Sequence, residues 1–317
     1  MANPLFEAAY DEAESFELRV IPYRCMRLKT LNDDWKFDSE IDPKKLQTAS
    51  ERVWFVNSQL EKKRCRSYMR DGTKTPAPCP HGIDLIESLP VGGLASNAVS
   101  DLRRLFRAER RNPTALATLR GRPSGRGTRD LEVLFLGRDG HIYLPESVDF
   151  LFLSGYTSLA NFIVTHGKAL ASFLGGDVEN VRTCLLTIVR YDPLRGLKTH
   201  IDGVDAVDQT FGPVVTVPMG PGAKCFDMFP TLLSGEAEPV RLRSFQFQPT
   251  IMQGSARMEY SHSFPYDQNA EHMTLIFRFR AFDNSNHRKF SCENPILKLC
   301  SETIELPRGH HAGKHEL

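Results

Sequence analysis

A chain of 317 residues, 41% of them hydrophobic, can bury one large core or two modest ones. The formal net charge of +1 excludes a globally basic protein, so any nucleic-acid contact must depend on a local patch. The sequence shows neither an apolar run of about 18 residues nor an apolar N-terminal segment, which argues against a membrane span and a signal peptide. We therefore expect an intracellular monomer, cytoplasmic or nuclear with an organellar location left open, and regard the final Lys-His-Glu-Leu as a chance match to a retrieval signal.

Residues 1–130 are predicted to form an N-terminal extension. Residues 16–23 are apolar and aromatic enough for an edge strand. A helix is expected from Thr48, because Thr48 and Glu51 have the spacing of a capping box. A second helix is expected over residues 95–111, where apolar residues recur along one face.

The seven cysteines form no Cys-x-x-Cys pair and are odd in number, so free thiols in a reducing compartment are expected. Cys65, Cys79 and His81 raise the alternative of a zinc site. Structural zinc needs about four ligands, and these two cysteines lack the close paired spacing of such sites. Two ordinary thiols flanking a loop are the other interpretation.

One segment is strongly basic, with nine arginines between positions 103 and 129. The sequence Arg120-Gly-Arg-Pro within it is similar to the core of an AT-hook, which lies in a narrow minor groove. Contact with a phosphate backbone needs no such motif. The alternative to nucleic-acid binding is that these arginines lie on a solvated helix face followed by a disordered loop and have no binding role. The candidate nucleic-acid contacts are Arg103, Arg104, Arg107, Arg120 and Arg122.

The middle of the chain alternates strands and a helix. Residues 131–144 are predicted to form two strands around an Asp-Gly turn at positions 139–140. The helix predicted over residues 158–174 has a clear stop at Gly175-Gly176 and should pack outside the main sheet. Residues 181–191 are predicted to form a buried strand.

His200 and Asp202 form an H-x-D pair that an extended segment presents on one face. One imidazole and one carboxylate, joined by a distant histidine, make a facial triad that suits ferrous iron. We expect His262 to be the third ligand. It lies 60 positions after Asp202, which leaves room for four or five strands of a jelly roll. The candidate strands cover residues 214–217, 223–229, 240–247 and 256–260.

Residues 180–282 resemble the AlkB family of 2-oxoglutarate- and iron(II)-dependent dioxygenases. Tyr191 precedes the H-x-D pair with Gly196 between them, Gly-Ser-Ala-Arg at 254–257 leads into His262, and Thr-Leu-Ile-Phe-Arg at 274–278 is similar to the family's last strand. The resemblance implies an α+β protein whose double-stranded β-helix, or jelly-roll barrel, has flanking helices and the N-terminal extension. It implies iron ligation by His200, Asp202 and His262.

The resemblance also implies a 2-oxoglutarate site containing Tyr191, Arg278 and the position of His272. This chain departs from the family pattern at two places. Val189 replaces an asparagine, and His272 replaces the first of two arginines on the last strand. If that arginine binds the distal carboxylate, its loss removes a charge-assisted pair, so altered or weaker co-substrate binding is expected.

The implied reaction is hydroxylation, or demethylation with loss of formaldehyde, of a nucleic-acid base in RNA or DNA. Arg257, beside the family motif, joins the candidate substrate contacts. Two alternatives remain: a nucleic-acid-binding scaffold without turnover, and an oxygenase acting on a protein side chain. The dioxygenase domain is predicted over residues 131–282, with a polar tail at 283–317.

Overall fold

Two antiparallel β-sheets with a cavity between them form the centre of the computed structural model. It describes residues 4–28, 76–90, 92–111, 117–123, 129–135, 143–191, 197–201, 212–221, 224–231, 238–264 and 272–280. Helices, strands and antiparallel pairings together make this a mixed α/β fold.

The larger sheet has seven strands among the described residues. Their spatial order is β3 (Ile83–Leu85), β11 (Thr250–Met252), β8 (Val214–Pro218), β13 (His272–Arg278), β6 (Leu185–Tyr191), β5 (Arg129–Phe135) and β4 (Ala117–Pro123). The smaller sheet has six strands in the same parts of the chain. Their order is β2 (Pro76–Ala77), β1 (Cys25–Arg27), β10 (Val240–Ser244), β9 (Lys224–Pro230), β12 (Tyr260–Phe264) and β7 (Leu197–His200).

The larger sheet has two different faces, because side chains along a strand alternate with a period of two. On β13, Leu275 and Phe277 belong to the hydrophobic core that contains the helices. Ile276 and Arg278, on the same strand, line the cavity between the sheets. The larger sheet thus separates an apolar helical layer from the cavity.

Six helices are present among the described residues. They are α1 (Pro4–Glu12), α2 (Gly93–Arg111), α3 (Leu144–Leu153), α4 (Thr157–Phe173), α5 (Val178–Arg182) and α6 (Gly254–Met258). The predicted helices over residues 95–111 and 158–174 are confirmed as α2 and α4.

Helix α4 is capped from a distant part of the chain. The Asp101 carboxylate on α2 accepts hydrogen bonds from the backbone N–H groups of Ser158 and Leu159, at 3.0 and 3.2 Å. These bonds satisfy two of the donors that a helix leaves unpaired at its first turn. At the other end, Gly175 adopts a φ of 81° and the Gly176 N–H donates to Ala171 O at 2.8 Å, which ends the helix in a Schellman-type turn.

Cys25 and Cys79 form a disulfide, which corrects the expectation of free thiols at these positions. The bond joins β1 to the residues just after β2, two strands that pair at Cys25 and Ala77. The zinc alternative loses Cys79 as a ligand for the same reason. Cys65 lies outside the described residues, and Cys184 and Cys225 take part in no disulfide bond among the residues that are described.

Several local predictions need correction. Residues 256–260 were expected as a strand, but the structure has the short helix α6 there, followed by β12. The expected strand over residues 16–23 is reduced to a single bridge between Val20 and Ile86. Leu144 begins helix α3 and so ends no strand. The expected helix from Thr48 lies outside the described residues.

Strands β4 and β5 pair with each other, and β5 spans the predicted domain boundary at residue 130. The division of the chain into domains stays a prediction. None of the helices within the described ranges combines the length and the apolar character needed to cross a membrane.

Candidate active site

The cavity between the two sheets has a volume of about 60 Å³. Its wall is largely apolar and includes Val214, Phe226, Met228 and Met252. The polar side chains in the wall are Tyr191, His200, Thr216, Lys224, Thr250, His262 and Arg278. A mostly apolar cleft with a few convergent polar groups is typical of a small-molecule site.

His200 and His262 lie opposite one another on neighbouring strands. Strand β12 pairs with β7 in a register that places His262 against His200, and the two ring centroids are 4.4 Å apart. Cross-strand partners have their side chains on the same face, so both imidazoles reach the same cavity. The structure therefore brings together two of the three predicted iron ligands.

Asp202, the third predicted ligand, lies outside the described residues. Within the described ranges, no three His, Cys, Asp or Glu side chains come together as a metal site. The two histidines nevertheless fit the nitrogen part of the predicted donor set, because their rings are close enough to share one ion.

Tyr191 and His272 occupy opposed positions on β6 and β13. Tyr191 stacks on Phe264 with ring centroids 4.5 Å apart, and His272 meets the same ring edge-on at 5.2 Å. Burial, and secondarily the nearby charge of Lys224, lower the pKa of His272 to about 4. His272 is thus neutral at pH 7 and cannot supply the charge of the arginine that the family resemblance expects there.

Arg278 points into the cavity, as predicted for a co-substrate contact, and its role stays a prediction. Its guanidinium donates a hydrogen bond to Thr187 Oγ1 at 2.6 Å. Arg278 lies six positions after His272, which corresponds to about 20 Å along a strand. The two positions therefore lie at opposite ends of β13.

Lys224 is a site residue that the sequence predictions missed. Its side chain is 3% exposed, and Nζ donates to Thr274 Oγ1 at 3.0 Å. Nζ also lies 4.5 Å from the ring centroid of Phe226 and 5.3 Å from that of Phe264. Burial lowers the pKa of Lys224 to about 7. The alternation of Lys224, Phe226 and Met228 along β9 is the sequence pattern that would have indicated an inward-facing lysine.

Thr216 and Thr250 add hydroxyl groups to the same cavity. They are cross-strand neighbours on β8 and β11. Both Oγ1 atoms are buried, and neither has a hydrogen-bond partner in the part of the chain that the structure describes. Buried hydroxyl groups without a protein partner are places where a ligand or water is expected to bind.

The predicted substrate arginines occupy three different environments. Arg103 and Arg107 are exposed on α2. Arg104, on the same helix, donates to Asp101 and to Gly155 O, each at 3.1 Å, and so supports the junction with α4. Arg257 is only 1% exposed and bonds to the carbonyl of Gly212 in the interior, so it is not part of a surface.

Arg120 and Arg122 lie in strand β4 rather than in a loop. By backbone register they oppose Glu132 and Asp130 on β5, so each arginine position faces an acidic position. A regular antiparallel pair differs from the free, flat segment that a minor-groove contact requires. The predicted AT-hook interpretation is thereby weakened.

No protein-family model and no curated protein matches the chain. Three solved structures show a distant likeness. A prolyl-4-hydroxylase of Pseudomonas putida has a TM-score of 0.41 and 11% identity, with 64% of this chain and 94% of that chain covered. A prolyl hydroxylase of Trichoplax adhaerens, bound to a peptide of hypoxia inducible factor, has a TM-score of 0.41 and 11% identity, with 77% and 96% covered.

The third structure is AviO1 from Streptomyces viridochromogenes Tue57, with a TM-score of 0.39 and 12% identity. The matched region covers 65% of this chain and 91% of AviO1. All three TM-scores are below 0.5.

Proposed function

We propose that the protein is an Fe(II)- and 2-oxoglutarate-dependent dioxygenase. The observation that carries this proposal is the pair of His200 and His262, opposed on neighbouring strands with ring centroids 4.4 Å apart at the wall of the cavity between the two sheets. Asp202, two residues after His200, would complete the ligand set.

The order of the strands supports a double-stranded β-helix. From β6 to β9 each successive strand belongs to the other sheet, and the alternation resumes from β10 to β13. This alternation is expected when one antiparallel ribbon is wound into a jelly roll. It places His200 and His262 next to each other although 62 positions separate them in the sequence (262 − 200).

Bound iron would supply the oxidation itself, in which one oxygen atom of O2 converts 2-oxoglutarate into succinate and CO2 and the other enters a C–H bond of the substrate. The protein contributes the positions of the reactants and the exclusion of water. Phe226, Met228 and Met252 provide an apolar wall around the histidine pair. Tyr191 and Arg278 are proposed to orient the co-substrate within that wall.

The proposed substrate is a base in single-stranded RNA or DNA, or a base flipped out of a duplex. The support is the exposed arginine pair Arg103 and Arg107 on α2, which offers positive charge for a phosphate backbone. A hydroxylated N-methyl group would leave as formaldehyde and regenerate the unmodified base.

The decisive experiment measures succinate formed from 2-oxoglutarate by protein reconstituted with Fe(II) under air, with N-methylated oligonucleotides as substrates. We expect turnover with release of formaldehyde, and none for His200→Ala or His262→Ala. The control is His81→Ala, because His81 is an exposed histidine that does not line the cavity.

The outcomes separate the alternatives. Succinate formation with peptides but not with oligonucleotides would assign the enzyme to protein side chains. Oligonucleotide binding that persists in His200→Ala, together with no succinate from the parent protein, would indicate a binding scaffold. Absence of both metal binding and turnover would contradict the proposal.

A further inference from the structure

Lys224 is a buried lysine without an anionic partner among the described residues. Its side chain is 3% exposed, and no carboxylate of the described residues pairs with it. Its contacts are one neutral hydroxyl group, Thr274 Oγ1 at 3.0 Å, and the faces of two aromatic rings. Removing an ammonium group from water is unfavourable unless a negative charge compensates for it. Lys224 is therefore suited to bind an anion that enters the cavity.

The position of Lys224 defines how long that anion must be. Strand β9 places Met228 beside His262, and Lys224 lies four residues earlier on the same cavity face. Four residues of a strand span about 13 Å. A lysine side chain extends over part of this distance, and the remainder fits a short, unbranched molecule with one end at the histidines and the other at the ammonium group.

The charge of Lys224 can also replace the charge that is lost because His272 stands where the family pattern has an arginine. Thr274 lies two residues after His272 on the same face of β13 and receives the Lys224 hydrogen bond. The neutral imidazole and the ammonium group thus belong to the same end of the cavity. The positive charge that the last strand lacks there comes from β9 instead.

We propose that Lys224 and Thr274 bind the distal carboxylate of 2-oxoglutarate, in place of the arginine that His272 replaces. This inference depends on the proposed dioxygenase function. The Lys224 ammonium donates to one carboxylate oxygen, and the Thr274 hydroxyl, which accepts from Nζ, donates its own hydrogen to the carboxylate. Phe226 and Phe264 hold Nζ between their rings and limit where it can move.

The test compares two acids in protein loaded with Mn(II) under nitrogen, so that binding is measured without turnover. 2-Oxoglutarate has both acid groups, whereas 2-oxopentanoate has the same chain length and the same 2-oxo acid end but lacks the distal carboxylate. Isothermal titration calorimetry gives both dissociation constants. We expect the parent protein to prefer 2-oxoglutarate.

Lys224→Met keeps the length of the side chain and removes the charge. We expect it to weaken 2-oxoglutarate binding about 10- to 100-fold, the loss typical of a charge-assisted hydrogen bond, and to leave 2-oxopentanoate binding unchanged. Lys224→Arg should restore part of the preference. The matched control is Lys168→Met, because Lys168 bonds to the carbonyl groups of Tyr10 and Ala13, away from the cavity.

Two results would overturn the inference while leaving the metal site intact. One is equal 2-oxoglutarate affinity in the parent and Lys224→Met, which would make Lys224 a structural residue held by Phe226 and Phe264. The other is loss of the preference in Arg278→Met but not in Lys224→Met, which would make Arg278 the anchor. Failure of the parent to bind Mn(II) or either acid would instead contradict the proposed function.

Thermal unfolding of Lys224→Met establishes whether the variant is folded. If it does not fold, Thr274→Val decides, because it removes the second donor and leaves the lysine in place. We expect Thr274→Val to weaken 2-oxoglutarate binding selectively, and unchanged binding of both acids in this variant would contradict the inference.

Discussion

Lys224 and Thr274 connect the two sheets across the cavity, with Nζ of Lys224 3.0 Å from Oγ1 of Thr274. Lys224 lies on β9 of the smaller sheet and Thr274 on β13 of the larger one. The bond holds an ionisable group inside the protein, where burial lowers its pKa to about 7. Anion binding in this cavity should therefore depend on pH within the neutral range.

The affinity of the Mn(II)-loaded protein for 2-oxoglutarate should be constant below about pH 7 and fall above it. Only the protonated lysine attracts a carboxylate, so each pH unit above the pKa of the empty site should weaken binding by up to about tenfold. Binding above pH 7 should also take up a proton, which makes the measured enthalpy depend on the buffer.

Other groups near Lys224 should not produce this profile. The pKa of His272, lowered to about 4, keeps that imidazole neutral across the range, and an arginine such as Arg278 keeps its charge. With Mn(II) saturating, His200 and His262 are bound to the ion, and Tyr191 is the remaining titratable side chain that the described residues place in the cavity wall. Lys224→Arg should flatten the profile, and an unchanged profile in that variant would contradict the assignment.

Metal affinity should depend equally on His200 and His262. We expect His200→Ala and His262→Ala each to weaken Mn(II) binding by at least about 100-fold. Mutation of a residue that only hydrogen-bonds to a metal ligand already lowers metal affinity about 10- to 100-fold. The double variant should show little further loss, since one imidazole alone leaves the site incomplete. Calorimetric titration with Mn(II) measures all three, and His81→Ala provides the control. A large loss in only one of the two single variants would contradict a shared ion.

The parts of the fold that were predicted correctly depend on local periodicity. Helix α4 shows a clear apolar stripe and a glycine stop, β6 and β8 are mostly apolar, and apolar residues alternate with arginines along β10. Helix α6 was wrongly predicted as a strand because Gly-Ser-Ala-Arg-Met is too short to show a period. Its Ala256 N–H bonds to His81 O, a contact that no local pattern reveals.

The part of the site that depends on a sequence motif and on the alternation of side chains along a strand could be predicted. The H-x-D pair and the segment before His262 were sufficient to expect the opposed histidines. The alternation along β9 indicates an inward-facing Lys224, but its contact with Thr274 of the other sheet required the three-dimensional structure. The disulfide was missed for the same reason, since Cys25 and Cys79 are 54 positions apart.

The Cys25–Cys79 disulfide should contribute to stability. A cross-link between residues 54 positions apart restricts the unfolded chain, and such bonds typically stabilise a protein by about 2–4 kcal/mol. Urea unfolding with and without reductant should show this difference, and the variant Cys25→Ala/Cys79→Ala should be insensitive to reductant. Detection of Cys25 and Cys79 as free thiols in folded, air-oxidised protein would contradict the bond.

Stability should also decrease in mild acid because of His166. Its Nδ1 lies 2.7 Å from Phe162 O, and its ring contacts that of Phe162 at a centroid distance of 3.8 Å with the planes tilted by 34°. Burial lowers the pKa of His166 to about 4 from an ordinary 6.5. The unfolded chain therefore binds a proton between pH 6.5 and 4 that the folded protein does not. The contribution of neutral His166 to the free energy of unfolding is complete above pH 6.5. It is lost as the pH falls to 4, which lowers the free energy of unfolding by on the order of 3 kcal/mol.

Urea unfolding at several pH values between 4 and 7 measures this loss. His166→Leu should show a smaller decrease in the free energy of unfolding across the range, because leucine cannot bind the proton. The difference between the two profiles isolates His166 from the carboxylates. Parallel profiles would show that His166 is not the group responsible.

The exposed arginines of α2 should contribute to nucleic-acid binding through charge alone. Arg103→Ala and Arg107→Ala should weaken binding to single-stranded RNA irrespective of its sequence. Each should reduce the slope of log K against log salt concentration by about 0.7, the value for one released counterion on a single strand. Fluorescence anisotropy at several salt concentrations provides the measurement.

The two controls for this series test different explanations. Arg19→Ala removes an exposed arginine that is not part of α2 and pairs with Glu17, and it should leave the salt slope unchanged. Arg104→Ala should mainly lower stability, because Arg104 bonds to Asp101, which caps α4, and to Gly155 O. If Arg103→Ala and Arg107→Ala leave both affinity and slope unchanged, α2 is a solvated helix face, and the proposed nucleic-acid substrate loses the one structural feature that supports it.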